Sequence, residues 1–336
     1  MTFISGRNIS GQRGLLLLEE LGLRSEFGPP KMGMHQTTGV ILEVARYSTN
    51  DGPGIRTTVF FKGCPLHCVW CHNPEGQSPA PQLVFRPDRC IHCLSCMKVC
   101  PHHAIVLIDG NPIVLGDRCE FSGECVRICQ SGARETAGKE ITVGDLMQEI
   151  EKDTIFYDES SGGITFSGGE PFMQPVFLQT LLGLCKERRI HTAVETCGFV
   201  DSATLLGISP YVDLYLYDLK VIDDGKHQSL TGVSNKTILE NLRKLSRSHG
   251  HITIRFPVIP GVNDSDQDIS QFGEFVSSME KVDGVDILPY HRLGTEKYKR
   301  LGVRYRMAEI QPPTSEEMTG IAETLRSFGL SVRIGG

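Results

Sequence analysis

Ten of the chain's twelve cysteines fall between Cys64 and Cys129, and that crowding constrains the fold more than any other feature. A disulfide framework would require export, since the cytosol keeps thiols reduced. The one apolar cluster near the start, Leu15 to Leu18, runs straight into Glu19 and Glu20 without a small-residue cleavage site, a poor signal peptide. No run approaches the roughly 20 apolar residues of a membrane span. The chain therefore reads as cytoplasmic, and clustered cysteines in that setting point to metal. They form two arrays. In GCPLHCVWCHNPEG, Gly63 to Gly76, Cys64, Cys68 and Cys71 are spaced C-x3-C-x2-C with no fourth cysteine close behind.

The second array is a repeat. DRCIHCLSCMKVCPHHA (88 to 104) superimposes on DRCEFSGECVRICQSGA (117 to 133) after a shift of 29 positions. The first copy is C-x2-C-x2-C-x3-C-P, the ferredoxin run in which three thiolates hold one cluster and the fourth crosses to its partner. Zinc, which favours four ligands in a closed tetrahedron, fits seven cysteines in this order poorly. The crossed pattern assigns Cys90, Cys93, Cys96 and Cys129 to one 4Fe-4S cluster and Cys100, Cys119 and Cys125 to another. The fourth position of the latter is Ser122. Serine oxygen, water or another side chain could ligate there, or the cluster could hold three irons.

Three thiolates on a cubane leave one iron open, as catalytic metal sites do and structural ones do not. The loop follows a predicted strand, Thr57 to Lys62. From Gly162 onward further strands are predicted at Ile164 to Ser167, Thr192 to Thr196, Val212 to Leu219, His251 to Val258 and Val285 to Pro289. Amphipathic stretches separate them, among them Gln174 to Arg188, Lys236 to Ser246 and Asp266 to Met279. This is an α/β chain with six strand-helix units, an incomplete parallel (β/α)6 barrel, and a last helix and short strand follow within Ser315 to Gly336. The barrel spans 39–79 and 140–336, interrupted by the cluster-bearing insertion at 80–139. Residues 1–38 carry no motif and read as a disordered extension, with Met32 and Met34 as alternative starts.

Polar residues recur where these strands end: SGGEP (Ser167 to Pro171), ETCG (Glu195 to Gly198), DLK (Asp218 to Lys220), Arg255, and PYH (Pro289 to His291). Any one could be a cap or turn, but five at one rim make a site. Gly168 and Gly169 allow close backbone approach to a ligand, Glu170 offers a carboxylate to an ammonium group, and Lys220 beside Asp218 is a point cation suited to a carboxylate. Taken singly, Lys220 could be a solvated charge and His291 a satisfied histidine.

CxxxCxxC with Trp70 before the third cysteine resembles the signature of radical S-adenosylmethionine (SAM) enzymes. DGPGIRT (Asp51 to Thr57), SGGEP, DLK and LPYHRLG (Leu288 to Gly294) narrow the resemblance to the glycyl radical enzyme activating enzymes. It implies a radical SAM barrel whose open iron chelates SAM, and hydrogen abstraction from a backbone glycine of a partner glycyl radical enzyme. It further implies reduction by flavodoxin or ferredoxin, a SAM lining of Trp70, Cys71, His72, Gly169, Asp218, Leu219, Lys220 and His291, and contact of Asp51, His72 and Arg255 with the glycine loop. Glu195 and Thr196 fall where the family places a monovalent cation. The insertion, with one SAM-binding and up to two auxiliary 4Fe-4S clusters in all, is similar to that of the multi-cluster members. On chemistry alone Asp51 could be a turn residue.

Two other functions compete: a radical SAM enzyme modifying a small molecule or peptide, and an electron carrier in which the barrel is scaffold. A net charge of -6 argues against a general nucleic-acid binder. Cys185 reads as a buried apolar residue, and Cys197 receives no role.

Overall fold

The computed structural model describes residues 33–335. Most of the segment expected as an extension lies outside them, but its end does not. Met34–Gln36 form a 3-10 turn, and Thr38 opens the first strand. The strands are β1 (Thr38–Ser48), β2 (Arg56–Phe61), β3 (Gln82–Phe85), β4 (Ile105–Ile108), β5 (Asn111–Val114), β6 (Arg134–Ala137), β7 (Lys139–Thr142), β8 (Gly163–Gly168), β9 (Thr192–Thr196), β10 (Leu214–Asp218), β11 (Ile252–Val258), β12 (Gly284–Pro289) and β13 (Val332–Ile334). Helices α1 (Ser95–Val99) and α2 (Glu124–Arg127) lie in the insertion. The others are α3 (Val143–Glu151), α4 (Thr154–Ser160), α5 (Pro175–Glu187), α6 (Ser202–Ile208), α7 (Asp224–Thr231), α8 (Lys236–Ser248), α9 (Asp266–Ser277), α10 (Thr295–Leu301) and α11 (Ser315–Ser327).

Nine strands form one mixed sheet in the order β13-β12-β11-β10-β9-β8-β2-β1-β7. The six expected strands are its parallel core. The sheet is larger than six units: β13 adds a seventh parallel strand, while β1 and β7 run antiparallel beyond β2. Two register shifts interrupt the pairing of β1, which breaks the period-two pattern that would otherwise announce a strand.

Alternation along the parallel strands sorts the chemistry. Val59, Phe61, Ile164, Phe166, Val194, Tyr217 and Ile254 join the main core. Thr58, Thr165, Ser167, Glu195, Asp218 and Arg255 occupy the alternate positions. The helices cover the apolar face and start where their sequences dictate. Asp201, Asp223, Ser265 and Thr314 each accept a hydrogen bond from the amide three residues on, in the first turn, as N-caps. In α8 the buried Ile238, Leu242 and Leu245 follow the helical spacing.

Within the insertion, β3 pairs with β6 and β4 with β5, both antiparallel. Its two halves repeat: a 3-10 turn (87–89 and 116–118) precedes a short helix in each. Lys139, the insertion's last expected residue, already belongs to β7 of the main sheet.

Candidate active site

The cysteine loop leaves the C-terminal end of β2 and is held mainly through its backbone. Gly63 N–H donates to Gly76 O (2.8 Å), Cys64 N–H to Gln77 O (3.0 Å), His67 N–H to Thr231 O (2.7 Å) and Val69 N–H to Leu230 O (3.0 Å). The end of α7 therefore clamps the middle of the loop. Lys297 of α10 holds its later half, through Asn73 Oδ1 at 2.6 Å and Glu75 at 2.9 Å. Burial pushes the Cys68 thiol up to about 12 and the Cys71 thiol to about 11, and the neighbouring cysteines push both the same way. The Cys64 thiol moves the other way, lowered by a hydrogen bond from the Cys197 thiol, and Cys68 and Cys71 need a cationic partner to become thiolates, which fits an iron-sulfur cluster as the group the three hold. Among the described residues no three His, Cys, Asp or Glu side chains converge as ligands of a single ion. Thiolates on separate corners of a cubane would not converge either, whereas ligands of one zinc would.

Lys220 lies beside this loop, its Nζ 2.7 Å from Asp218 Oδ2. Burial lowers its pKa, but Asp218 and the thiols of Cys68 and Cys197 more than offset that and hold it above its ordinary value. Arg255 is the hub of a second group. Its NH1 donates to Glu195 Oε1 at 2.5 Å, its NH2 donates to Asn50 O, and Asp51 Oδ1 is 3.7 Å away. Thr58 in turn donates to Asp51 Oδ2 at 2.7 Å. Burial alone would raise Glu195, yet the Arg255 charge and a hydrogen bond from Ser167 keep it below the usual carboxylate range. Asp218 and Arg255 are register partners on β10 and β11, so the two groups are adjacent.

Several expected roles change. Gly168 and Gly169 are required by the protein itself: a Cβ at 168 would sit 2.3 Å from Phe61 N, and one at 169 would sit 2.2 Å from Gly63 O and 2.6 Å from Gly76 O. Gly168 packs against the end of β2 and Gly169 seats the cysteine loop, and Gly169 N–H is already bonded to Phe61 O. Glu170, expected to meet an ammonium group, is 1% exposed. It accepts from Thr196 Oγ1 (2.8 Å), Cys197 N–H (2.7 Å) and Phe172 N–H (3.2 Å), so it fixes the turn after β9. Glu195 accepts from Arg255 and Ser167, and the Thr196 hydroxyl donates to Glu170.

Trp70 is buried in a satellite core with Val221, Ile259, Tyr290 and Tyr305, and the Leu219 side chain lies in the main core. Neither side chain is free to line a ligand. His72 stacks on His291 with ring centroids 3.8 Å apart instead of joining Asp51 and Arg255. Its Nε2 is buried without a partner, a donor or acceptor left for a bound molecule. Cys197, to which the sequence gives no role, is buried and its thiol is coupled to that of Cys64. Its position in ETCG at a strand end was the available signal.

In the insertion, one small cavity is lined by Cys90, Cys93, Cys96 and Cys129. Another is lined by Cys100, Cys119, Cys125 and Ser122.

The Radical SAM superfamily profile matches residues 58–273, and the chain belongs to that superfamily. It is 41% identical over 300 residues to the trans-4-hydroxy-L-proline dehydratase activating enzyme of Clostridioides difficile, covering 88% of this chain and 99% of that protein. It is 44% identical over 283 residues to the isethionate sulfite-lyase activating enzyme of Oleidesulfovibrio alaskensis, covering 82% and 91%. Within the superfamily it is one of the glycyl radical enzyme activating enzymes. A radical SAM methyltransferase from Sphaerobacter thermophilus superposes with a TM-score of 0.51 at 14% identity, over 95% of this chain and 80% of that one, and shares the fold.

Among the described residues no helix is long and apolar enough to cross a membrane.

Proposed function

We propose that this protein activates a partner glycyl radical enzyme. The observation that carries the reading is three half-buried cysteines on one loop beside Lys220, next to the Arg255 group. When bound, a 4Fe-4S cluster supplies the electron that cleaves SAM to methionine and a 5'-deoxyadenosyl radical, which takes hydrogen from the partner's backbone glycine.

Cys64, Cys68 and Cys71 hold the cluster, and the loop offers no fourth cysteine. Lys220 faces the SAM carboxylate as a desolvated cation, with Asp218 balancing its charge. The stacked pair His72 and His291 supports the nucleoside end, with His72 Nε2 available to it. Asp51 and Arg255 receive the glycine loop, and Glu195 and Ser167 position Arg255. Gly168, Gly169, Glu170 and Trp70 act by holding the end of β2, the cysteine loop and the turn after β9. Glu195 and Thr196, adjacent at the end of β9, are the residues a monovalent cation would use.

The insertion, residues 80–139, is a ferredoxin-like two-cluster domain that passes electrons from reduced flavodoxin or ferredoxin. The two cysteine-lined cavities support it, since each combines residues of both repeat copies as crossed ligation requires. All twelve cysteines are free, which suits the reducing cytoplasm of a cell with an anaerobic metabolism.

The test supplies SAM and dithionite to oxygen-free, iron-loaded protein and measures 5'-deoxyadenosine. Absence of that product refutes the reading and favours an electron carrier. Product without a glycyl radical signal in any co-incubated candidate partner favours a small-molecule or peptide substrate.

A further inference from the structure

We infer that Ser122 is the fourth ligand of the second insertion cluster, binding one iron through its deprotonated Oγ. The inference rests on the reading that the insertion carries clusters, and it decides among the outcomes the sequence leaves open.

The two halves of the insertion are related by a shift of 29 positions, which places Ser122 on Cys93. The backbone keeps that equivalence in an uncommon conformation. His92 and Leu94, flanking Cys93, have φ of 53° and 59°; Phe121 and Gly123, flanking Ser122, have φ of 51° and 74°. Left-handed residues on both sides of one position are rare for non-glycine side chains. The fold thus repeats at Ser122 the loop that presents Cys93.

Two other oxygen or nitrogen donors line the second cavity, His102 and Glu120. The same shift maps them onto Ser131 and Ile91, which line the first cavity beside its complete set of four cysteines. There Ile91 cannot ligate, and Ser131 only hydrogen-bonds Cys129 Sγ, at 3.6 Å. Positions 102 and 120 are therefore flanking positions, and His102 Nδ1 faces Glu120 Oε1 at 3.6 Å. Ser122 alone stands where the complete cavity has a ligand.

Ligation breaks the hydroxyl O–H bond, releases the proton to solvent and forms an Fe–O bond, with no electron transferred. Alkoxide is a harder donor than thiolate and favours oxidised iron. The second cluster then has a more negative potential than its four-thiolate neighbour.

The experiment uses the full chain, reconstituted with iron and sulfide without oxygen, as wild type, S122A, S122C and H102A. The readouts are iron content, Mössbauer spectra and an EPR-monitored redox titration. Three clusters give roughly twelve irons per chain. S122A is expected to change one cluster's spectrum, whether its unanchored iron is lost or captured by water. S122C is expected to keep the iron content and move one midpoint upward, and H102A to match wild type. Wild-type iron of roughly eight, with the first cavity filled, overturns this inference but leaves the ferredoxin reading standing; roughly four overturns both. S122A spectra identical to wild type, or the expected changes appearing in H102A instead, also overturn it.

Discussion

The cysteine loop after β2 and the cysteines of the insertion place one residue type in two settings. At the C-terminal end of β2, Cys64, Cys68 and Cys71 lie in a loop whose amides are bonded to α7 and to its own later turn. Lys220, from the end of a distant strand, stands above them. In the insertion the cysteines lie on short turns and helices of five and four residues, with a satellite core of few buried side chains. The first setting is a site that the whole sheet must build. The second is a small scaffold, whose order on the proposed reading would depend on what its cysteines bind.

The sharpest break of that comparison is Cys68→Ala. It should reduce 5'-deoxyadenosine formation to background while both insertion clusters assemble, which Mössbauer spectra would show. Retained cleavage would falsify the ligand assignment.

Next in size is Arg255→Gln. It leaves Glu195 buried and unpaired and removes the donor to Asn50 O. Breaking a buried pair from one side costs about 3 kcal/mol. The melting temperature should fall, and glycyl radical formation should be lost even where SAM is still cleaved. An unchanged melting curve would show that Arg255 does not hold the three elements together.

Gly169→Ala sharpens the comparison from the other side. The new methyl group meets the carbonyls of Gly63 and Gly76, so the loop must move, at a cost of about 2 kcal/mol. SAM affinity should drop while insertion clusters are unaffected. Cys93→Ala should do the reverse, slowing turnover with a flavodoxin or ferredoxin donor but not with dithionite. If the physiological donor works equally well with that variant, the insertion is not the electron path.

The two settings also differ in how much the sequence discloses. Spacing alone names the candidate ligands, because a cluster is read from cysteines near in the chain. The parallel strands were legible since β8 to β12 are short apolar runs between turn residues. What spacing could not give is long-range pairing. Glu170 reads as a free carboxylate until β9 brings Thr196 and Cys197 to it, and nothing near Glu195 in the chain announces its partner Arg255 on β11. Trp70 borders Cys71 in the chain, yet Tyr290 and Tyr305, more than two hundred residues later, bury it. Gly168 and Gly169 were recognised as close-approach positions, but only the fold shows that the approaching groups are the end of β2 at Gly168 and the cysteine loop at Gly169. β1 and β7 escaped because the first is bulged and the second is only four residues long.

The smallest effect concerns acid. His227 lies in α7, whose Thr231 and Leu230 carbonyls hold the His67 and Val69 amides of the cysteine loop. Its Nδ1 faces Val233 O at 2.8 Å and Thr231 Oγ1 at 3.1 Å. Burial lowers its pKa; the Val233 carbonyl and Asp224 oppose that shift, while Lys220 adds to it. With the folded value below the unfolded one of about 6.5, the unfolded chain binds the proton first as pH falls. Stability therefore rises with pH in that window and is lost below about 6.5. The insertion histidines His92, His102 and His103 are exposed. The amide-exchange protection factors of His67 and Val69, taken relative to the intrinsic rate at each pH, should fall between pH 7 and pH 5.5, and His227→Asn should flatten that dependence. An equal fall in the variant would remove His227 as the acid-sensitive point of the clamp, leaving the half-buried His191 and His249 to account for the slope.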